Sequence, residues 1–118
     1  MVTVYGYKKC STCTKAKKFL TDNNQDVTFI DMVEDGIDQK TLGDIITQSN
    51  EDIDKFFNTR GKKFKELELK EKLPTMSDDE KLNVLASDGM LIKRPITVSE
   101  DGIVLGFKED SYRETFKL

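Results

Sequence analysis

The sequence predicts an α/β fold: a mixed four-stranded sheet covered by helices, in the order β-α-β, a helical stretch, then β-β-α. Three observations carry that prediction. Two short apolar, β-branched segments, Val2 to Tyr5 and Val27 to Ile30, flank an amphipathic stretch of helical period. From Asp38 to Ala86 the apolar residues recur at helical spacing. Two further β-branched segments, Ile96 to Val98 and Ile103 to Leu105, are separated by Glu100-Asp101-Gly102, which suits the positive φ of a hairpin turn.

In chain order, Val2 and Val4 with interleaved Thr3 and Tyr5 read as the first strand. Cys10-Ser11-Thr12-Cys13 follows where that strand should turn into a helix. Ala16, Phe19 and Leu20 form the apolar stripe of a helix from about Ser11 to Asp22, and Asn23-Asn24 end it. The second strand then pairs parallel to the first through a right-handed crossover, and Asp35-Gly36 break the pattern. Leu42, Ile45 and Ile46 share one helical face and Ile53, Phe56 and Phe57 another, both read as core. Asn58-Thr59-Arg60-Gly61 reads as a loop, followed by a short segment bearing Phe64 and Leu67 that Pro74 ends. Ser77-Asp78-Asp79-Glu80 is a capping-box pattern opening a helix with Leu82, Leu85 and Ala86, and Gly89 is its expected stop. After the hairpin, Glu109 to Phe116 closes the chain as a short helix resting on Tyr112 and Phe116. With no internal repeat and no low-complexity linker, residues 1–118 read as one domain with a helical insert at about 38–88.

The 19 basic and 22 acidic residues are interspersed and leave a net charge of −3, which gives no general attraction to nucleic acid or to an anionic membrane. No apolar run approaches a membrane span, and the chain opens on a strand pattern instead of a charged region and apolar signal core. The expected location is therefore the cytoplasm. In that reducing compartment a paired C-x-x-C is more plausibly transient, catalytic or sensing than a permanent staple.

At a helix N-terminus the unpaired N–H groups and the positive end of the macrodipole stabilise an anion, so a cysteine there ionises readily. Cys10 is placed to attack, and Cys13, one turn further in, to close a disulfide with it. Lys8, Lys9, Lys15, Lys17 and Lys18 add positive field, although exposed lysines are largely screened by salt. The bland alternatives are half of a zinc site or two inert buried thiols. The sequence has no histidine and no third cysteine, so the usual four-ligand N/S zinc site cannot be assembled within it, and no metal or cofactor is expected.

The C-x-x-C motif after strand one, the helical insert, and Lys93-Arg94-Pro95-Ile96 leading into a hairpin together resemble the arsenate reductase-like (ArsC/Spx) family of thioredoxin-fold proteins. The resemblance spans residues 2–116. It is sharpest toward small ArsC-like proteins of Gram-positive bacteria, on Phe56-Phe57-Asn58-Thr59-Arg60-Gly61, Leu67 to Leu73, Leu85 to Pro95 and Gly106 to Asp110. It implies a thioredoxin-like sheet, Cys10 as nucleophile, and Arg60 and Arg94 at positions that line an oxyanion site or stabilise the thiolate. A guanidinium suits that task because its planar donor fork matches a tetrahedral oxyanion. By spacing alone Arg60 is a loop charge and Arg94 a strand-edge charge. Pro95, otherwise a strand-entry proline, is implied to face the active-site loop after a cis peptide.

The pattern departs from arsenate reductases at two places. Gly106-Phe107 stands where a third arginine is expected, and Cys13 supplies an internal resolving thiol where those enzymes rely on external glutathione and glutaredoxin. A C-x-x-C pair is instead shared with Spx-type transcriptional regulators, which bind the C-terminal domain of the α chain of RNA polymerase; their glycine at that contact aligns with Asp52. The resemblance thus implies a thiol-disulfide redox protein regenerated by thioredoxin or by glutaredoxin and glutathione. Its substrate would be a small oxyanion or a protein disulfide, and it would work as a monomer without direct contact to nucleic acid or membrane. The alternative is a redox-sensing regulator of the Spx kind.

Overall fold

The computed structural model describes residues 1–118, which divide into two compact units: residues 1–35 with 94–118, and residues 36–93. The first unit holds the whole sheet, in strand order β2-β1-β3-β4, where β1 is Val2–Gly6, β2 Val27–Asp31, β3 Ile96–Ser99 and β4 Gly102–Leu105. β1 pairs parallel with β2, Val2 opposite Val27 through Gly6 opposite Asp31, and antiparallel with β3, while β3 and β4 form the expected hairpin. Gly102 takes φ +150° at the end of that turn, where a Cβ would come 2.8 Å from the Thr115 side chain. This is the mixed four-stranded α/β sheet that the sequence predicts.

Helix α1 (Ser11–Asp22) is the β1-to-β2 crossover and α6 (Glu109–Phe116) closes the chain, both with the predicted bounds. Their apolar faces bury Ala16, Leu20, Tyr112 and Phe116 with Val2, Val4 and Val104 in one core. Burial of this kind is the main force holding the unit, at roughly 25 cal/mol per Å² of apolar surface. Tyr112 is fully buried, and its hydroxyl shares a hydrogen bond with that of buried Thr97, which satisfies both polar groups.

The second unit is built from short pieces: α2 (Gln39–Ser49), α3 (Lys62–Glu66), α4 (Leu69–Lys72) and α5 (Asp78–Ser87), with a single 3₁₀ turn between α2 and α3 and another between α4 and α5. Asp38 caps α2 by accepting the Thr41 N–H, and both halves of the Ser77–Glu80 capping box are formed. Leu42, Ile45, Ile53, Phe56, Phe57, Phe64 and Leu85 are buried, as their spacing predicts.

Three local expectations are corrected. Ile53 to Phe56 is a single 3₁₀ turn, because Asp52 caps it tightly and Phe57 then pairs in a β-bridge with Ile92. Pro74 lies inside a 3₁₀ turn, Leu73–Thr75, where its missing N–H is unneeded at a first-turn position. Helix α5 ends before Gly89: Asp88 turns extended at φ −159°, and its carboxylate caps the next turn through the Met90 N–H. The aspartate side chain competes successfully with helix continuation there.

Candidate active site

The strand-to-helix junction of the first unit is four residues long, Tyr7 to Cys10, and it ends in a helix cap made by sulfur. Cys10 is extended (φ −92°, ψ 116°), and its Sγ accepts the Cys13 N–H at 3.4 Å. Its own N–H donates to the Tyr7 carbonyl at 2.9 Å, and its carbonyl accepts the Thr14 N–H at 3.1 Å. The sulfur therefore occupies the place where a helix start offers unpaired amides to an anion.

Half-burial of Cys10 works against ionisation. It is outweighed by hydrogen bonds from the Cys13 thiol and amide and by the charge and hydrogen bond of Arg94, so the Cys10 thiol is held below its ordinary value. Arg94 stacks over the Tyr7 ring, 5.6 Å from guanidinium carbon to ring centroid. Three of the five lysines expected to supply field are engaged elsewhere: Lys8 pairs with Glu34 at 2.7 Å, Lys18 pairs with Asp22 at 2.9 Å, and Lys17 lies 5.7 Å from the Phe29 ring. The cation that acts on Cys10 by both charge and hydrogen bond is Arg94.

Cys13 shares the helix turn and has the opposite environment. It is fully buried, and its thiol is pushed up to about 12 by that burial and then by its hydrogen bond to Cys10; the Tyr7 backbone pulls the other way, and the Cys10 charge (up) and Arg94 (down) act less. The seat for its sulfur is the bare backbone of Gly6, where a Cβ would come 2.9 Å from Cys13 Sγ and 3.1 Å from its Cβ. Both cysteines are free thiols.

Pro95 is buried after a cis Arg94–Pro95 peptide, and its carbonyl accepts the Gly106 N–H at 2.8 Å. Gly106 takes φ +81°, a left-handed conformation that disfavours any side chain, and Phe107 turns its ring edge-on to Phe19 and Tyr112 at 5.7 and 5.0 Å. The position where a third arginine is expected thus carries a glycine in a conformation unfavourable to side chains, followed by a ring packed on the core.

Of the residues singled out from sequence, Cys10, Cys13, Arg94 and Pro95 lie together in the first unit. Arg60 lies in the second, exposed on the 58–61 turn that Gly61 N–H closes onto the Asn58 carbonyl at 3.1 Å. Two residues at this site went unread. Gly6 is a glycine at the end of a strand, which signals close approach without saying of what. Asp31, one place past the apolar run of β2, has a carboxylate that accepts the Lys8 N–H at 3.1 Å. No periodicity signals that contact.

The chain matches the model of the ArsC family over residues 5–115. It is 47% identical over 115 residues to the uncharacterized protein YusI of Bacillus subtilis, covering 98% of each chain. The solution structure of SACOL0876 from Staphylococcus aureus superposes with a TM-score of 0.89 at 49% identity, covering 100% of both chains. Global transcriptional regulator Spx 2 of Bacillus anthracis is 26% identical over 114 residues, which cover 97% of this chain and 86% of that one.

Proposed function

This chain belongs to the ArsC family, and from that premise we propose that it is a thiol-disulfide oxidoreductase with Cys10 as nucleophile and Cys13 as resolving thiol. The observation that carries the reading is the contrast at one helix mouth: a half-buried sulfur capping α1 beside Arg94, and a fully buried, protonated thiol one turn away. The Cys10 thiolate attacks one sulfur of a substrate disulfide, forms a mixed disulfide and expels the other sulfur as a thiolate. Cys13 then attacks Cys10 Sγ, its proton passing to the departing second substrate sulfur, which leaves as a thiol, and a Cys10–Cys13 disulfide remains. Thioredoxin, or glutaredoxin with glutathione, reduces that bond by the same exchange and restores the dithiol.

The two steps are ordered by electrostatics. Burial first holds the proton on Cys13, and before attack the hydrogen bond and charge of Cys10 add to that hold. Once Cys10 is in a mixed disulfide that charge is gone, so Cys13 ionises more easily when it is needed. Arg94 would hold an anionic group of the substrate beside Cys10. Gly106 and Phe107 offer no cation, which favours a disulfide over a tetrahedral oxyanion such as arsenate.

A coupled assay tests the reading, supplying arsenate or a model disulfide with either reducing system to wild type, Cys10→Ser and Cys13→Ser. Cys10→Ser is expected to abolish turnover, and Cys13→Ser to retain it only where glutathione can resolve the mixed disulfide. Unchanged turnover in Cys10→Ser sinks the mechanism.

The similarity to Spx 2 favours one second reading: a redox-gated binding module in which the same disulfide alters affinity for the RNA polymerase α-subunit. Against it, Asp52 exposes a carboxylate that caps a turn where the resemblance places a glycine. A polymerase pull-down whose yield changes on oxidation, without catalytic turnover, would favour the module.

A further inference from the structure

Asp31 is 8% exposed, so its charge depends on the protein for solvation. It receives that from three backbone amides in two different loops. One oxygen accepts the Val33 and Glu34 N–H groups, each at 2.9 Å, in the turn after β2, and the other accepts the Lys8 N–H at 3.1 Å, in the junction that leads to Cys10. The pairing of Gly6 with Asp31 and the Met32 N–H bond to the Gly6 carbonyl at 2.8 Å put the carboxylate directly beside that junction. Outside it, the Lys8 ammonium and Glu34 close a second, solvent-exposed bridge between the same loops at 2.7 Å.

The ends of the junction are tied at Tyr7, whose backbone bonds Cys13, whose ring lies under Arg94 and whose carbonyl accepts the Cys10 N–H at 2.9 Å. Its middle is tied to the neighbouring strand through the Lys8 amide and the Lys8 ammonium. Lys8 lies inside the turn that the Cys10-to-Tyr7 hydrogen bond closes. A carboxylate is a better anchor than a neutral acceptor because charge-assisted hydrogen bonds are shorter and about twice as strong. The amides together with the Lys8 charge outweigh the cost of burial and keep Asp31 ionised below its usual range.

We propose that Asp31 is a positioning residue for the reactive cysteine: by holding the Lys8 amide it fixes the turn that sets Cys10 Sγ on the α1 amides. The proposal rests on Cys10 being the nucleophile, and it adds the group that aims it. Its effect has a sign that separates it from a simple charge effect. Removing a nearby negative charge would, by electrostatics alone, make the Cys10 thiolate easier to form. Releasing the turn does the reverse, since the sulfur then loses alignment with its amide donor.

The test is the pH profile of iodoacetamide alkylation at Cys10, read by mass spectrometry, in wild type, Asp31→Ala, Asp31→Asn and Glu34→Gln, with folding checked by circular dichroism. Wild type is expected to show a midpoint below that of a free thiol. Asp31→Ala should raise it by about one pH unit, which below the midpoint slows alkylation about ten-fold. Asp31→Asn keeps one acceptor oxygen and should fall between, while Glu34→Gln, which leaves the Lys8 amide bond intact, should stay within about two-fold of wild type. If Asp31→Ala does not fold, the upward shift must appear in Asp31→Asn. A folded Asp31 variant with an unchanged or lowered midpoint overturns the proposal and leaves the nucleophile assignment standing. A wild-type midpoint at the ordinary thiol value removes both.

Discussion

Cys10 and Cys13 sit on one helix turn, three residues apart, in regions that do opposite things to the same side chain. At the rim of the helix mouth, amide and guanidinium donors outweigh partial burial, and the thiol is held low. On the floor beneath it, complete burial against Gly6 and the nearby Cys10 charge push the thiol up to about 12. A C-x-x-C motif is therefore not two equivalent thiols: its chemistry comes from the depth difference that one helical turn creates at the edge of a core.

The largest expected effect tests the floor. A buried thiol raised to about 12 stabilises the fold below its unfolded value, about 8.5, and that contribution is lost as pH rises from there through the folded value. The unfolded chain releases the proton first, so stability falls with pH. Across that window Cys13 contributes a slope of about 1.4 kcal/mol per pH unit, and Cys13→Ala should remove it from urea-unfolding free energies measured at stepped pH. Tyr112, also pushed up to about 12 mainly by burial, keeps a residual alkaline slope in the variant. Parallel curves for the two proteins would mean Cys13 is not shielded.

A smaller effect probes the shape of the seat. Gly6→Ala places a methyl 2.9 Å from Cys13 Sγ and 3.2 Å from the Phe29 ring, so one side chain must move. Overpacking of this kind costs about 1–3 kcal/mol, readable as a lowered urea midpoint. Displacement of the Cys13 sulfur should also expose it to iodoacetamide, against which full burial is expected to protect the wild-type thiol. No loss of stability and no new labelling would contradict the contact.

The smallest effect probes the rim. Arg94→Leu removes one of several donors to Cys10, leaving the Cys13 amide and thiol in place. Alkylation of Cys10 at neutral pH should slow several-fold, less than about ten-fold, with the midpoint moved up by under one pH unit. A downward shift would mean that the guanidinium does not act on the thiolate.

Much of the first unit was legible in the residues. The bounds of α1 and α6, the β1-to-β2 crossover and the β3–β4 hairpin follow from apolar period and turn chemistry, which are local. The second unit was legible as helical but not in its pieces. Asp52 and Asp88 replace helix with short capped turns through side-chain bonds that a hydrophobic count does not register. Within the site, Cys10 and Cys13 were readable because strand, motif and helix are contiguous, and Arg94 and Pro95 only through family position. Gly6 and Asp31 were not, since each acts by meeting a residue from another element.

The order of elements, the cysteine pair and its place at a helix start were determined by the sequence alone, because each depends on neighbours within one or two turns. Tertiary structure decided which sulfur is half-buried beside a guanidinium and which is hidden. That difference arises only when β1 brings Gly6 under Cys13, β3 brings Arg94 to Cys10, and the end of β2 anchors Lys8. Burial and charge are properties of what surrounds a group, and most of what surrounds these two thiols is distant in the chain.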